Sequence, residues 1–129
     1  MKLFRALTFL ILLASTCLLG CGDGNSHVTG TLTNNGTPLE VGEKGVVQVQ
    51  FIQLQDGKPK GFRTAQSVDK VGHFEATVPP GNYRIAILQL DPYPDKDLLK
   101  GAFDDRKSPI EKDLSSSQSI EIELAEFQK

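Results

Sequence analysis

Chemistry needs titratable or nucleophilic side chains held close together, and this chain offers few. The candidates are Cys17 and Cys21, His27 and His73, and the aspartates Asp91, Asp95, Asp97, Asp104 and Asp105. Hydrolysis by a side-chain nucleophile usually needs a histidine beside it. His27 falls in a polar, glycine-rich stretch and His73 on the polar side of an alternating segment, so both read as solvated and the chain as non-enzymatic. The five aspartates carry the hard oxygens that Ca²⁺ prefers. However, Leu98 and Leu99 stand where a calcium loop wants a ligand or a turn glycine, so the cluster reads as a solvated loop. Neither a metal nor a cofactor is expected, since no phosphate-binding glycine loop or zinc spacing occurs. A net charge of −2 gives no reason to expect nucleic acid as a partner.

The cysteines point elsewhere. Lys2 and Arg5 precede an apolar run from Ala6 to Gly20. At about 15 residues that run is shorter than the roughly 20 a spanning helix requires, so it reads as an export signal. It ends in Leu18-Leu19-Gly20-Cys21, which resembles a bacterial lipobox. A thiol is required there to carry a diacylglyceryl thioether, and a small preceding residue admits the peptidase. Residues 1–20 are therefore expected to be a lipoprotein signal peptide, with Cys21 the lipidated first residue. Cys17 leaves with the signal, so no disulfide is expected despite an oxidising compartment. Residues 1–20 hold two basic and no acidic side chains, so their removal takes the formal charge from −2 to −4. Two or more acyl chains anchor stably where one holds only marginally. Residues 21–27 read as the lipidated cysteine and a short flexible tether. Gly22 rather than an aspartate follows Cys21, which favours the outer membrane if the envelope has two.

Beyond the tether, residues 28–125 read as a domain of short strands. Around residues 72–87, Phe74, Ala76 and Val78 alternate with His73, Glu75 and Thr77, and Tyr83, Ile85 and Ile87 alternate with Arg84 and Ala86. A period of two places each apolar set on one face of a strand. Pro79-Pro80-Gly81-Asn82 between them reads as the type II turn of a hairpin, with Gly81 at the positive-φ corner. Residues 28–33 read as a first strand, followed by the Asn35-Gly36 turn. Residues 46–54 read as the longest strand, with a change of face at Ile52 and Leu54 that predicts a bulge. Residues 56–61 read as a loop, residues 62–68 as a polar edge strand, and residues 120–124 as a closing strand.

Residues 91–119 carry no confident strand. Leu98, Leu99 and Phe103 in this stretch suit a helical turn or a cap on one end of the fold. Long irregular segments in compact domains are often functional. Tyr93, Lys96, Lys100 and Arg106, outside the presumed cap, are the candidate partner contacts.

The pattern predicts an all-β, antiparallel Greek-key β-sandwich of about seven strands. Three places make it specific: Val28-Thr29-Gly30-Thr31-Leu32 with Asn35-Gly36-Thr37-Pro38-Leu39; Gly72-His73-Phe74 with Val78-Pro79-Pro80-Gly81-Asn82-Tyr83-Arg84-Ile85; and Ser108-Pro109-Ile110 with Ile120-Glu121-Ile122-Glu123-Leu124. The chain resembles small bacterial lipoproteins whose single domain is transthyretin-like, related to the carboxypeptidase regulatory-like domain. The resemblance implies a fold and a place in the cell envelope, not an activity. Transthyretin-like hydrolases carry a Tyr-Arg-Gly-Ser tail, whereas this sequence ends Ala125-Glu126-Phe127-Gln128-Lys129. The expected function is a lipid-anchored envelope domain that binds a protein or surface polymer. The alternatives are a carbohydrate-contacting module, a structural spacer or a small hydrolase. The first is disfavoured by the lack of Trp.

Overall fold

The structure, a computed structural model, describes residues 24–128. The expected signal segment 1–20, Cys21 and the first residues of the tether lie outside them. Seven strands follow in order: β1 Ser26–Thr33, β2 Val46–Gln55, β3 Lys58–Val68, β4 His73–Val78, β5 Asn82–Leu90, β6 Glu111–Asp113 and β7 Gln118–Glu123. A 3₁₀ turn, Leu124–Phe127, closes the described chain. The strands form two sheets, one in the order β4-β1-β7 and one in the order β3-β2-β5-β6. β1 begins at Ser26, inside the stretch read as tether, and the Ser26 hydroxyl is buried against the Leu114 carbonyl at 2.6 Å.

The inward faces follow the alternation of the sequence. Val47, Val49 and Phe51 of β2 and Tyr83, Ile85 and Ile87 of β5 face Val28 and Leu32 of β1, Phe74 and Val78 of β4, and Ile120 and Ile122 of β7. The rings of Phe51 and Phe74 meet across the sandwich with centroids 6.1 Å apart, tilted by 53°. Gly30 of β1 lies under Phe74, whose ring occupies the space a Cβ would need, 2.1 Å away. A side chain there would have to displace an aromatic at the centre of the core.

Two expectations about strand pairing change. Residues 72–87 are not a hairpin, because β4 and β5 belong to different sheets. Pro79 and Pro80 lack the N–H groups that pairing beside the turn would use. The chain therefore crosses from one sheet to the other, and the two apolar faces meet through the core instead of lying side by side. Gly81 has φ of +155°, far from the roughly +80° of a type II turn. Its carbonyl accepts from the Leu114 N–H at 2.8 Å. The sheets are also not wholly antiparallel, since β1 runs parallel to β7, with Gly30 opposite Ile120.

The long edge strand β3 starts at Lys58, within the stretch read as a loop. Asp56 and Gly57 both take positive φ, 53° and 75°, which is the geometry of a two-residue hairpin turn. Pro59 is tolerated because β3 is an edge. The bulge expected near Ile52 is present as a register shift between Ile52 and Leu54. Phe62 N–H there donates to Gln53 Oε1 at 2.9 Å.

Candidate functional site

The connections sort the molecule into two ends. At one end lie Ser26, the β4–β5 crossing at Pro79-Pro80-Gly81 and Leu114. At the other end β1 finishes at Thr33, β3 at Val68 and β5 at Leu90, while β2 and β4 begin. The eight residues of β1 separate the two ends by about 25 Å, at roughly 3.3 Å per residue. The chain thus enters at the first end, and the longest loops gather at the second.

Three loops form that far end. The Asn35-Gly36 turn is built as expected, with Asn35 and Gly36 at φ 54° and 80° and the Asn34 N–H donating to Thr37 O at 2.8 Å. Glu123 fastens it: its carboxylate accepts from Gly36 N at 2.6 Å, Asn35 N at 3.0 Å, Thr33 Oγ1 at 3.2 Å and Ala125 N at 2.8 Å. Those bonds, the one from Ala125 first and then the one from Gly36, hold the Glu123 carboxyl below its ordinary range. The loop over residues 39–45 is tied to the turn after β5. Asp91 accepts from Gly42 N at 2.8 Å, Gln89 Nε2 donates to the Glu40 carbonyl at 2.8 Å, and Tyr93 N–H donates to the Lys44 carbonyl at 2.7 Å. The third loop, at the corner between β3 and β4, is held by Asp69, which accepts from Val71 N at 3.0 Å and His73 N at 2.8 Å. Between the 39–45 loop and this corner lies an open groove of about 810 Å³.

The candidate contacts do not form one patch. Tyr93 and Lys96 stand exposed on the far-end turn, Lys100 follows on the flank of β5, and Arg106 lies further along that flank. Beside Arg106, Asp105 forms a 2.8 Å ion pair with Arg63 of β3, and its carbonyl accepts from Arg84 Nη1 at 3.2 Å. The hydrogen bond from Arg63 holds the Asp105 carboxyl below its ordinary range. Phe103 is buried and Leu99 packs against the core, but the segment lies along the outer edge of β5, where Ile87 N–H donates to Phe103 O, instead of capping an end of the sandwich, and Leu98 is exposed.

The aspartates read as a loop cluster have definite duties. Asp97 accepts from Gln89 N, Leu99 N and Gly101 N, and Asp104 accepts from Arg106 N and Lys107 N. Each carboxylate so occupied satisfies backbone donors that have no strand partner. His27 lies in β1 with its ring 3.1 Å from Thr77 Oγ1, and His73 opens β4 on the exposed side. Tyr83 is buried, its hydroxyl donating to the Pro79 carbonyl at 2.6 Å, and burial pushes its pKa up.

The groove has no motif or spacing in the sequence that marks it. Its only signal was the acidic, glycine-rich composition of residues 39–46, which carries no period. Among the described residues no helix is long and apolar enough to cross a membrane. Comparison with protein-family models, curated proteins and solved structures returns no match to this chain.

Proposed function

We propose that this protein is a non-enzymatic binding domain, anchored in a cell envelope through lipid on Cys21, that meets a protein or surface polymer with the loop end of its sandwich. One observation carries the reading. Val71, Tyr93 and Leu98 are the large apolar side chains standing in solvent among the described residues, at 63%, 51% and 39% exposure. All three lie at or beside the end of the sandwich opposite the point where the chain enters. A protein tied down at Cys21 would hold that end away from the membrane. Exposed apolar groups confined to the end turned away from the anchor suit contact better than a plain spacer would require. Tyr93 and Lys96 on the far-end turn, with Lys100 and Arg106 along the flank of β5, are the proposed contact side chains. The transthyretin-like resemblance fits a two-sheet domain of this size and an envelope location.

Cross-linking in intact cells followed by pull-down tests the reading. One specific protein partner, lost when Cys21→Ala moves the chain out of the membrane fraction, supports it. An unmodified Cys21 thiol in the mass spectrum of the wild type removes the anchor. The exposed Tyr93 ring also suits stacking on a sugar, so recovery of glycan instead of a protein would favour the carbohydrate-contacting alternative.

A further inference from the structure

The groove between the 39–45 loop and the β3–β4 corner has an apolar floor and an acidic rim. Leu39, Val41, Val46 and Val68 line the floor, all partly exposed. Glu40, Glu43 and Asp69 stand on the rim against Lys70, the one cation lining it among the described residues. Exposed Val71 adds apolar surface next to Lys70. The rim keeps its shape without a ligand, because Asp91, Gln89 and Asp69 fasten the loop and the corner through backbone groups. A preformed site costs less ordering on binding than a mobile one.

We propose that this groove takes an extended polypeptide segment of a partner, with apolar side chains alternating with Lys or Arg. In a strand-like segment alternate side chains point to opposite sides, so one set can enter the floor while the other meets the rim. Three carboxylates against one ammonium leave the groove two negative charges in excess, which favours a basic occupant and disfavours an acidic one. On the lipid-anchor reading residues 1–20 are gone from the mature chain, and Cys21 to Asn25, at most about 18 Å long at roughly 3.6 Å per residue, fall short of the loop end about 25 Å from where β1 begins. The inference deepens the binding-domain reading above and names the chemistry of the surface it would use.

The test uses the full-length chain in nanodiscs of phosphatidylcholine, a lipid without net charge that will not itself gather basic peptides. Fluorescent octapeptides alternating Val with Lys, Val with Glu and Val with Gln are titrated by anisotropy, with empty nanodiscs as the control. The Val-Lys peptide is expected to bind at least tenfold more tightly than the Val-Glu peptide, with binding weakened by salt. The double variant Glu40→Gln/Glu43→Gln should lose most of that preference, and Glu75→Gln, on the exposed face of β4, should keep it. Thermal melts of each variant verify that the fold is retained; both substituted rim side chains are exposed, so no large change is expected. Equal binding of all three peptides, no binding of any, or equal loss with Glu75→Gln overturns the proposal. So does a concentration-dependent dimer whose formation competes with the peptide, because the occupant would then be a second copy. Cellular cross-linking to a protein partner that persists in the Glu40/Glu43 variant would overturn the groove and leave the binding domain standing. Absence of any cross-linked partner beside specific peptide binding would do the reverse.

Discussion

The four-stranded sheet is finished in two different ways along its two sides. On the β3 side the strand finishes itself. Lys58, Pro59 and Lys60 occupy its first residues and the bulge at Ile52/Leu54 interrupts its pairing, devices that discourage further strands from adding. On the β5 side only Asn82, Tyr83 and Arg84 find a strand partner, the short β6. Residues 97–110 complete the rest without a regular strand. Ile85 N–H donates to Ile110 O, Ile87 N–H to Phe103 O, Gln89 N–H to Asp97 Oδ1, and Leu98 N–H returns to Gln89 O. The Ser108 hydroxyl donates to the Ile85 carbonyl. Phe103 and Ile110 of this cover, and Leu114 just after β6, are as buried as the strand core. An edge can therefore be closed by local charge and proline, or by a cover that shares the core. Only the second makes the edge part of the stability of the whole.

The largest test of that difference is Phe103→Ala. It should cost about 3–5 kcal/mol, as much as Phe74→Ala in β4, while Glu75→Ala stays within about 0.5 kcal/mol of neutral. Urea denaturation measures all three. A near-neutral Phe103→Ala would mean the cover is ornamental, and equal effects of Phe74→Ala and Glu75→Ala would mean the inward face of β4 is wrongly assigned. Gly30→Ala comes next, at about 1–3 kcal/mol, because a new Cβ must displace the Phe74 ring from a full core. Ser108→Ala should fall in a similar range of about 1–3 kcal/mol, since it leaves the Ile85 carbonyl buried with one partner fewer. On the β3 side Pro59→Ala should barely move the urea midpoint but should increase self-association in light scattering, because it restores an edge donor.

What the sequence made legible follows from the same contrast. Strands with one buried face announce themselves by a period of two, so β1, β2, β4, β5 and β7 could all be located. The bulge near Ile52 was legible because the apolar residues change face there. The pairing of strands was not. Nothing in the alternation of Phe74 and Tyr83 says whether they sit beside each other or across a core, and the two prolines suggest a turn where they mark a crossing. Asp56-Gly57 was a hairpin signal hidden by Pro59, whose meaning depends on whether the strand is an edge. The 97–110 cover has no period at all. Its backbone is satisfied by Asp97, Asp104 and Ser108 one group at a time, and single hydrogen bonds leave no repeating mark. For the same reason the groove beside residues 39–45 could not be found from spacing.

Acid should weaken the fold, and it should do so partly through an ion pair that joins the two sides. Asp105 of the cover pairs with Arg63 of β3, and Glu123 fastens the Asn35-Gly36 turn; both carboxyls sit below their ordinary range. Asp113 does too, through the Ser115 hydroxyl. In the unfolded chain these groups protonate near pH 4, while in the fold they hold their charge to lower pH. Their contribution is therefore complete above about pH 5 and declines as pH falls through the folded values. Urea midpoints at pH 7, 4 and 3 should drop in that order, and Glu123→Gln should shrink the drop. The Arg63→Gln change should shrink it less, because an exposed pair is screened. An unchanged acid slope in Glu123→Gln would show that this carboxylate does not tie the turn.

The smallest expected effect belongs to the side chains proposed for contact. Among the described residues Tyr93, Lys96, Lys100 and Arg106 are held through their backbone: Tyr93 N–H to Lys44 O, Lys96 N–H to Pro92 O, Asp91 N–H to Lys96 O, Lys100 N–H to Asp97 O, and Arg106 N–H to Asp104 Oδ1. Their side chains can change while the cover keeps its hydrogen bonds. Lys100 has φ of +57°, so asparagine, which tolerates that region, is the suitable replacement. The combined variant Tyr93→Ser/Lys96→Gln/Lys100→Asn/Arg106→Gln should stay within about 0.5 kcal/mol of wild type at each site. Its melting curve should overlay the wild type, unlike that of Phe103→Ala a few residues away. If it melts much earlier, these side chains hold the cover in place and the separation of edge from contact surface fails. If it melts normally and cellular cross-linking is undiminished, the flank of β5 closes a sheet and nothing more, and any partner must engage the loop end without Tyr93, Lys96 or that flank.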